Sequence, residues 1–72
     1  MILYKKNNCL MCKKLESVMI EKGVVYDKVF LESGDKKTNE FMEKGFTSVP
    51  LLEKDDGEIL NFAKAIQYIK NI

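Results

Sequence analysis

The stretch ILYKKNNCLMCKKLESVMIEKG, residues 2–23, decides the fold, because its pattern changes from that of a strand to that of a helix around two cysteines. Ile2-Leu3-Tyr4 is a short apolar run that predicts a buried strand. The polar run Lys5-Lys6-Asn7-Asn8 predicts a connector, in which the Asn8 side chain is expected to cap the following helix. The helix should end at Gly23, since glycine is the usual residue just beyond a helix C-terminus.

The apolar residues of this helix recur at the spacing of one helix face. That face comprises Met11, Leu15, Val18 and Met19. The other side is expected to be polar and solvated, and it comprises Lys13, Lys14, Glu16, Ser17 and Glu21.

Cys9 and Cys12 are the only cysteines of the chain, and two intervening residues allow them to close a small disulfide ring. The helix start favours thiolate over thiol at Cys9, because unpaired backbone N–H groups and the positive end of the helix dipole lie there. The pair predicts a thiol–disulfide oxidoreductase, with Cys9 attacking and Cys12, one turn further on, resolving. The alternatives are half of a structural zinc site or two inert thiols. Zinc needs four ligands, and this chain has one cysteine pair and no histidine. We therefore expect no metal.

Two further elements are predicted in the middle of the chain. Residues 24–31 are rich in β-branched and aromatic side chains, and the interruption by Asp27-Lys28 indicates an edge strand. Ser33-Gly34-Asp35 predicts a loop and a cap. The helix that follows should run through Lys44, with Phe41 and Met42 on its apolar face.

The last part predicts a hairpin and a helix. Val49-Pro50-Leu51-Leu52 should form a strand that opens with the only proline. Asp55-Asp56-Gly57 predicts a tight turn to a fourth strand at Glu58-Ile59-Leu60. Asn61 is expected to cap a final helix that directs four apolar side chains inward: Phe62, Ala65, Ile66 and Ile69.

The predicted order is therefore β-α-β-α-β-β-α, an α/β fold. A right-handed crossover makes the first two strands parallel, and the tight hairpin makes the last two antiparallel. We expect a four-stranded mixed sheet with helices on both faces.

The composition excludes several classes of protein. The 72 residues carry 12 lysines against 11 acidic residues, so no strong field points to nucleic acid or to an anionic membrane. The longest apolar runs fall far short of the roughly 20 residues that a membrane span needs. Residues 1–6 do not resemble a signal peptide, so a cytoplasmic protein is expected.

The chain resembles the glutaredoxin family, the smallest version of the thioredoxin fold, over nearly its whole length. The specific likeness lies in Tyr4 and Lys6 before the cysteine pair, in Cys9 and Cys12 themselves, and in residues 45–50, Gly-Phe-Thr-Ser-Val-Pro. It is close to the short glutaredoxin-like reductants of ribonucleotide reductase. The resemblance implies one glutaredoxin-like domain over residues 1–72, acting as a monomer on protein disulfides in electron transport.

Individual residues have predicted roles. Lys6 is either a solvated charge of the connector or stabilises the Cys9 thiolate and attracts a substrate carboxylate, and we favour the second role. The resemblance implies that the peptide bond before Pro50 is cis, which turns the Val49 backbone toward the dithiol. Substrate is expected to contact Leu10, Met11, Ser48, Val49 and Pro50. Phe41, Met42, Phe46 and Phe62 are expected in the core.

The chain departs from the family pattern in three ways, and the first bears on the source of electrons. Glutaredoxins that bind glutathione usually have a glycine pair and then an acidic residue after the fourth strand, whereas this chain has Asn61-Phe62-Ala63-Lys64. The residues between the cysteines are Leu10-Met11, where the family often has Pro-Tyr. The chain also lacks the Trp-Ser-Gly-Phe-type ending of the ribonucleotide reductase reductants. No bound cofactor is expected beyond the redox-active Cys9–Cys12 disulfide, and a thioredoxin-reductase-type flavoprotein is favoured as reductant, with glutathione possible.

Three other functions stay open: a glutathione-dependent glutaredoxin, an iron–sulfur cluster carrier that joins two subunits, and a non-catalytic interaction module.

Overall fold

The seven predicted elements are present, in the predicted order, in a computed structural model that describes residues 1–32 and 34–72. Ser33, part of the predicted loop, lies outside the described residues. The strands are β1 (Ile2–Lys5), β2 (Asp27–Phe30), β3 (Leu51–Glu53) and β4 (Ile59–Leu60). The helices are α1 (Leu10–Glu21), α2 (Lys36–Glu43) and α3 (Phe62–Lys70).

The strands form one mixed sheet in the order β2-β1-β3-β4. β1 pairs parallel to β2 and antiparallel to β3, and β3 pairs antiparallel to β4. This confirms the parallel pairing of the first two strands, the hairpin and the edge position of β2. The β2 strand is shorter than predicted, and Asp27 and Lys28 lie within it instead of interrupting it.

The sheet separates two apolar clusters, because successive side chains of a strand point to opposite faces. Leu3 and Leu52 are opposite each other in the register and face α1 and α3. Their cluster comprises Leu3, Leu15, Met19, Leu52, Leu60, Ala65 and Ile69. Tyr4 and Leu51 face the other way, toward α2, in a smaller cluster that comprises Tyr4, Leu31, Phe41 and Leu51. Helices therefore cover both faces of the sheet, as predicted.

Two residues on the predicted apolar faces of the helices are not buried. Met11 is about half exposed, and Cys12 occupies the buried position of the first turn of α1 instead. Met42 is exposed as well, since Phe41 alone is the buried residue of α2. In both pairs the neighbouring residue, one step along the helix, points to the core. Phe46 and Phe62 are half-buried and pack against the two clusters.

The helix ends follow their sequence signals in part. The Asn61 side chain accepts a 2.9 Å hydrogen bond from the Lys64 N–H, so this predicted cap is confirmed. Asp35 occupies the cap position of α2 but makes no capping bond with its side chain. Gly23, just past α1, has a φ of 70°, a conformation that glycine adopts without a steric penalty.

Among residues 1–32 and 34–72, no helix has the length and apolar character required to cross a membrane.

Candidate active site

Cys9 and Cys12 are joined at the start of α1, with their Cα atoms 5.2 Å apart. Cys9 is the residue just before the helix and has extended backbone angles, whereas Cys12 is in the first helical turn. This turn brings the two sulfur atoms within disulfide distance. The strand-to-helix junction predicted from residues 2–23 is what positions the pair.

The Cys9 sulfur, and not the Asn8 side chain, caps α1. It accepts a 3.1 Å hydrogen bond from the backbone N–H of Cys12. Asn8 instead has a φ of 57°, which turns the chain into the helix. The predicted Asn8 cap is therefore wrong by one residue, because Asn8 is used for the left-handed turn that asparagine tolerates.

The two sulfurs differ in accessibility. Cys12 is completely buried, while Cys9 is half-buried and lies in the wall of a surface groove. A molecule that approaches from solvent can therefore reach the Cys9 sulfur first.

We call the groove that contains Cys9 the lysine groove. It has a volume of about 450 Å³ and is lined by Lys5, Lys6, Asn7, Asn8, Cys9, Lys13 and Phe30. Three of these side chains are cationic, and no carboxylate is among them. The groove joins the end of β1, the connector, the first turn of α1 and the end of β2.

A second groove, which we call the Val49 groove, adjoins the first at Lys6 and has a volume of about 410 Å³. It is lined by Lys6, Leu31, Gly34, Thr38, Phe41, Met42, Phe46, Thr47, Ser48, Val49 and Leu51. Pro50 is buried next to this groove, and its peptide bond with Val49 is cis, as the resemblance implied.

The predicted site residues are thus only partly brought together. Lys6, Ser48 and Val49 line the Val49 groove, and Lys6 and Cys9 line the lysine groove. Leu10 and Met11 line neither groove. They project from the first turn of α1, where Leu10 is 81% exposed and Met11 is 48% exposed.

Glu16 was predicted on the solvated side of α1, but it is buried, with 8% of its surface exposed. Its carboxylate accepts hydrogen bonds from the Lys5 ammonium and, at 3.0 Å, from the Tyr26 hydroxyl. The Lys28 ammonium lies 3.1 Å from the same carboxylate. Glu16 therefore ties α1 to β1, to β2 and to the segment before β2.

The surroundings of Glu16 shift two pKa values. Burial alone would raise the pKa of the Glu16 carboxyl, but hydrogen bonds from Lys5, Lys28 and Tyr26 outweigh it and lower the pKa. Burial, together with the hydrogen bond to Glu16, raises the pKa of Tyr26 to about 12. The carboxylate therefore stays ionised and the phenol stays neutral at pH 7.

A sequence signal for Glu16 exists. Cys12, Leu15, Glu16 and Met19 follow the spacing i, i+3, i+4, i+7 of a buried helix face, and these are the buried residues of α1. A buried face that begins at Met11 instead of Cys12 places Glu16 on the solvent-exposed side of α1, which is incorrect. Lys5, Lys13 and Phe30 of the lysine groove have no comparable signal, because three separate elements bring them together.

Tyr4, one of the residues of the family likeness, lies in the core beneath the Val49 groove. Its ring packs edge-on against Phe41, with 4.8 Å between centroids, and its hydroxyl donates a 3.1 Å hydrogen bond to Glu53. Burial and this bond raise the pKa of Tyr4 to about 12. Tyr4 lines neither groove.

No three histidine, cysteine, aspartate or glutamate side chains converge as metal ligands within the described part of the chain.

The chain is similar to known proteins in sequence. No family model matches it. It is 30% identical over 54 residues to the glutaredoxin-like protein NrdH of Lactococcus lactis subsp. lactis strain IL1403, and the match covers 75% of each chain. It is 28% identical, with the same coverage, to the glutaredoxin-like protein NrdH of Lactococcus lactis subsp. cremoris strain MG1363.

The fold has a solved neighbour, a glutathione S-transferase from Methylobacillus flagellatus KT with glutathione bound. The two superpose with a TM-score of 0.79 at 23% identity, over 94% of this chain and 34% of the transferase. This chain thus spans about a third of that enzyme, and the likeness concerns the fold alone. The relatives of matching length, the element order and the bonded cysteines at the start of α1 agree: the chain belongs to the glutaredoxin family, as a dithiol disulfide oxidoreductase of the glutaredoxin-like NrdH kind.

Proposed function

We propose that this protein reduces disulfides of other proteins, with Cys9 as the attacking thiolate and Cys12 as the resolving thiol. The observation that carries this assignment is the difference in accessibility, since Cys9 lines an open groove and Cys12 is completely buried. A substrate disulfide can approach only a sulfur that solvent can reach. The second sulfur needs only to reach the first, and the helical turn holds it there.

The reaction takes place in two exchanges. The Cys9 thiolate attacks one sulfur of the substrate disulfide, so that a mixed disulfide forms and the other substrate sulfur leaves as a thiolate. The Cys12 thiolate then attacks the Cys9 sulfur and displaces the second substrate thiolate. Two electrons pass to the substrate, both of its sulfurs take up protons, and the Cys9–Cys12 disulfide remains.

Single-cysteine variants test the assignment. Cys12→Ser should accumulate a mixed disulfide with a disulfide substrate, whereas Cys9→Ser should form none. Intact mass spectrometry after acid quenching measures both. Trapping by Cys9→Ser instead of Cys12→Ser would reverse the roles.

We assign re-reduction of the protein to a flavoprotein of the thioredoxin reductase type, with glutathione a poor substitute. Residues 61–64 start α3 and provide no carboxylate for the glutathione amine. Loss of such a charge-assisted contact costs about 1.5–3 kcal/mol, or roughly tenfold to more than a hundredfold in affinity. The glutathione seen on the transferase neighbour makes a glutathione-dependent glutaredoxin the second candidate.

The physiological substrate that we propose is a cytoplasmic reductase that re-forms a disulfide in each turnover, with ribonucleotide reductase the first to test. Support comes from the likeness to short glutaredoxin-like reductants. The assay is deoxynucleotide formation by a ribonucleotide reductase supplied with this protein and a flavoprotein reductant. Formation at the background rate would remove that substrate from the proposal.

A further inference from the structure

The lysine groove concentrates positive charge around Cys9 in a chain that is nearly neutral overall. Lys5, Lys6 and Lys13 line it together with the reactive sulfur, while the whole chain has a formal net charge of only +1. Its lining has no carboxylate. The three ammonium groups are supplied by β1, by the connector and by α1, so the folded chain, and not a run of lysines, creates the cluster.

The three lysines differ in how far their charge is already neutralised. The Lys5 ammonium is bound to the buried Glu16 carboxylate and lies 5.4 Å from the centre of the Phe30 ring. Within residues 1–32 and 34–72, no carboxylate lies within 4.0 Å of the ammonium of Lys6 or Lys13. Two unpaired cations therefore stand beside Cys9, next to a half-exposed aromatic ring.

We propose that the lysine groove binds acidic side chains next to the disulfide of the protein substrate, with Lys13 as a specificity-determining residue. This rests on the proposed function, because it concerns how the substrate of Cys9 is chosen. Carboxylates complement the two unpaired ammonium groups, and the exposed Phe30 ring offers an apolar contact beside them.

The occupant that we assign is an extended polypeptide segment. The lysine groove and the Val49 groove adjoin at Lys6, and Cys9 lies in the wall of the first. A segment that crosses Cys9 can place acidic residues in one groove and make apolar contacts in the other. A tripeptide such as glutathione is too short to make full use of both.

The expected effect is moderate, because the ammonium groups are exposed and are screened by salt. Removing the charge of Lys13 should lower kcat/KM for an acidic substrate by about two- to fivefold at low ionic strength, through KM. The preference for acidic over neutral substrates should shrink as salt is added.

The test uses two peptide disulfides of equal length, one with aspartate and glutamate beside the cysteines and one with asparagine and glutamine. Turnover of both is measured for the natural protein, for Lys13→Gln and for Lys14→Gln. Lys14 is the matched control, since it is exposed on the same turn of α1 but does not line the groove. Lys13→Gln should slow only the acidic peptide, and Lys14→Gln should slow neither.

Binding is measured separately, with the same peptides carrying serine in place of cysteine. Amide resonances near Lys13 and Phe30 should shift more with the acidic peptide than with the neutral one. If the acidic peptide binds in this way but the disulfide peptides are not reduced, the result would support acidic binding in the lysine groove and would refute the proposed function. Turnover of both peptides at equal rates would overturn the groove and leave the function intact.

Two other results would also overturn the proposal. Equal losses in Lys13→Gln and Lys14→Gln would show a general effect of charge and not a site. Slower reduction of glutathione disulfide by Lys13→Gln, to the same extent as the acidic peptide, would make the tripeptide's own carboxylates the occupant.

Discussion

The backbone N–H of Cys12 donates a hydrogen bond of 3.1 Å to the sulfur of Cys9. The residue that caps the start of α1 is thus the residue that we propose as the attacking thiolate. When Cys9 is a thiolate, the same N–H faces a full negative charge, and a hydrogen bond to a charged acceptor is stronger than one to a neutral acceptor. We therefore expect the start of α1 to stabilise the reduced, ionised form of Cys9.

Lys6→Ala should decrease the thiolate fraction of Cys9 in the reduced protein. The ammonium of Lys6 shares the lysine groove with Cys9 and favours the charged sulfur. Ultraviolet absorbance of the thiolate, followed against pH, should show a midpoint closer to that of free cysteine. Alkylation of Cys9 at neutral pH should slow accordingly. An unchanged midpoint would assign the activation to the helix terminus alone.

Glu16→Gln should destabilise the fold at neutral pH by about 1–3 kcal/mol, because it leaves the charges of Lys5 and Lys28 without their buried partner. The pKa of Glu16 is lower in the folded chain than its ordinary value of 4.5. The stability that the ionised Glu16 contributes is therefore complete above pH 4.5, and it is lost as the pH falls through the lower pKa of Glu16 in the folded chain.

Urea unfolding at several pH values measures this contribution. The difference between the natural protein and Glu16→Gln should be full at pH 7 and should shrink in acid. Glu21→Gln is the control, since Glu21 is exposed at the end of the same helix. If the difference in free energy of unfolding between the two proteins does not depend on pH, Glu16 stabilises the fold through its packing and not through its charge.

At high pH, stability should fall as Tyr4 and Tyr26 ionise. Burial raises the pKa of both to about 12, so the folded chain holds these protons more tightly than the unfolded chain, where the value is 10.0. The stability that the two protonated hydroxyl groups contribute is complete below about pH 10, and it is lost as the pH rises toward 12. Urea unfolding from pH 9 upward, in the natural protein and in the phenylalanine variants, measures the loss.

Tyr4→Phe should lose about 0.5–1.5 kcal/mol at neutral pH, since the ring still packs on Phe41 and only the bond to Glu53 is removed. Tyr68→Phe removes no side-chain hydrogen bond among the described residues and is the matched control. Equal losses in both variants would argue against the Tyr4–Glu53 bond.

The oxidised protein should be reduced faster by NADPH with a thioredoxin reductase than by glutathione with glutathione reductase. The physical reason is that residues 61–64 lack a carboxylate for the glutathione amine. Consumption of NADPH, with a disulfide substrate in excess, measures both routes. Fast turnover with glutathione and none with the flavoprotein would contradict the assignment.

The sequence predicted the element order and the cysteine pair because both depend on local patterns. The run from Ile2 to Gly23 contains its own strand, turn and helix signals, and the structure follows them closely. Family membership and the fold are confirmed by comparison with known proteins. The helix cap was misplaced by one residue because a cysteine sulfur is an unusual cap.

The partners of Glu16 and the lysine groove could not be predicted in the same way. The helical spacing gives a signal for the burial of Glu16, but Lys5, Tyr26 and Lys28 approach its carboxylate from other elements. Lys13 and Lys14 are adjacent in the sequence, but only Lys13 lines the groove with Cys9. Which of the two lines the groove depends on the rotation of α1 about its axis when it packs on the sheet.

The unequal apolar clusters on the two faces of the sheet have a mechanical consequence. The cysteines lie at the start of α1, which packs in the larger cluster, whereas α2, which forms part of the wall of the Val49 groove, packs on the smaller one. Fewer buried apolar contacts mean a lower free energy of local opening. We therefore expect amide hydrogens of α2 to exchange faster than those of α1. We expect the α2 side of the Val49 groove to open locally more often than the side of the sheet that carries α1 and the cysteine pair.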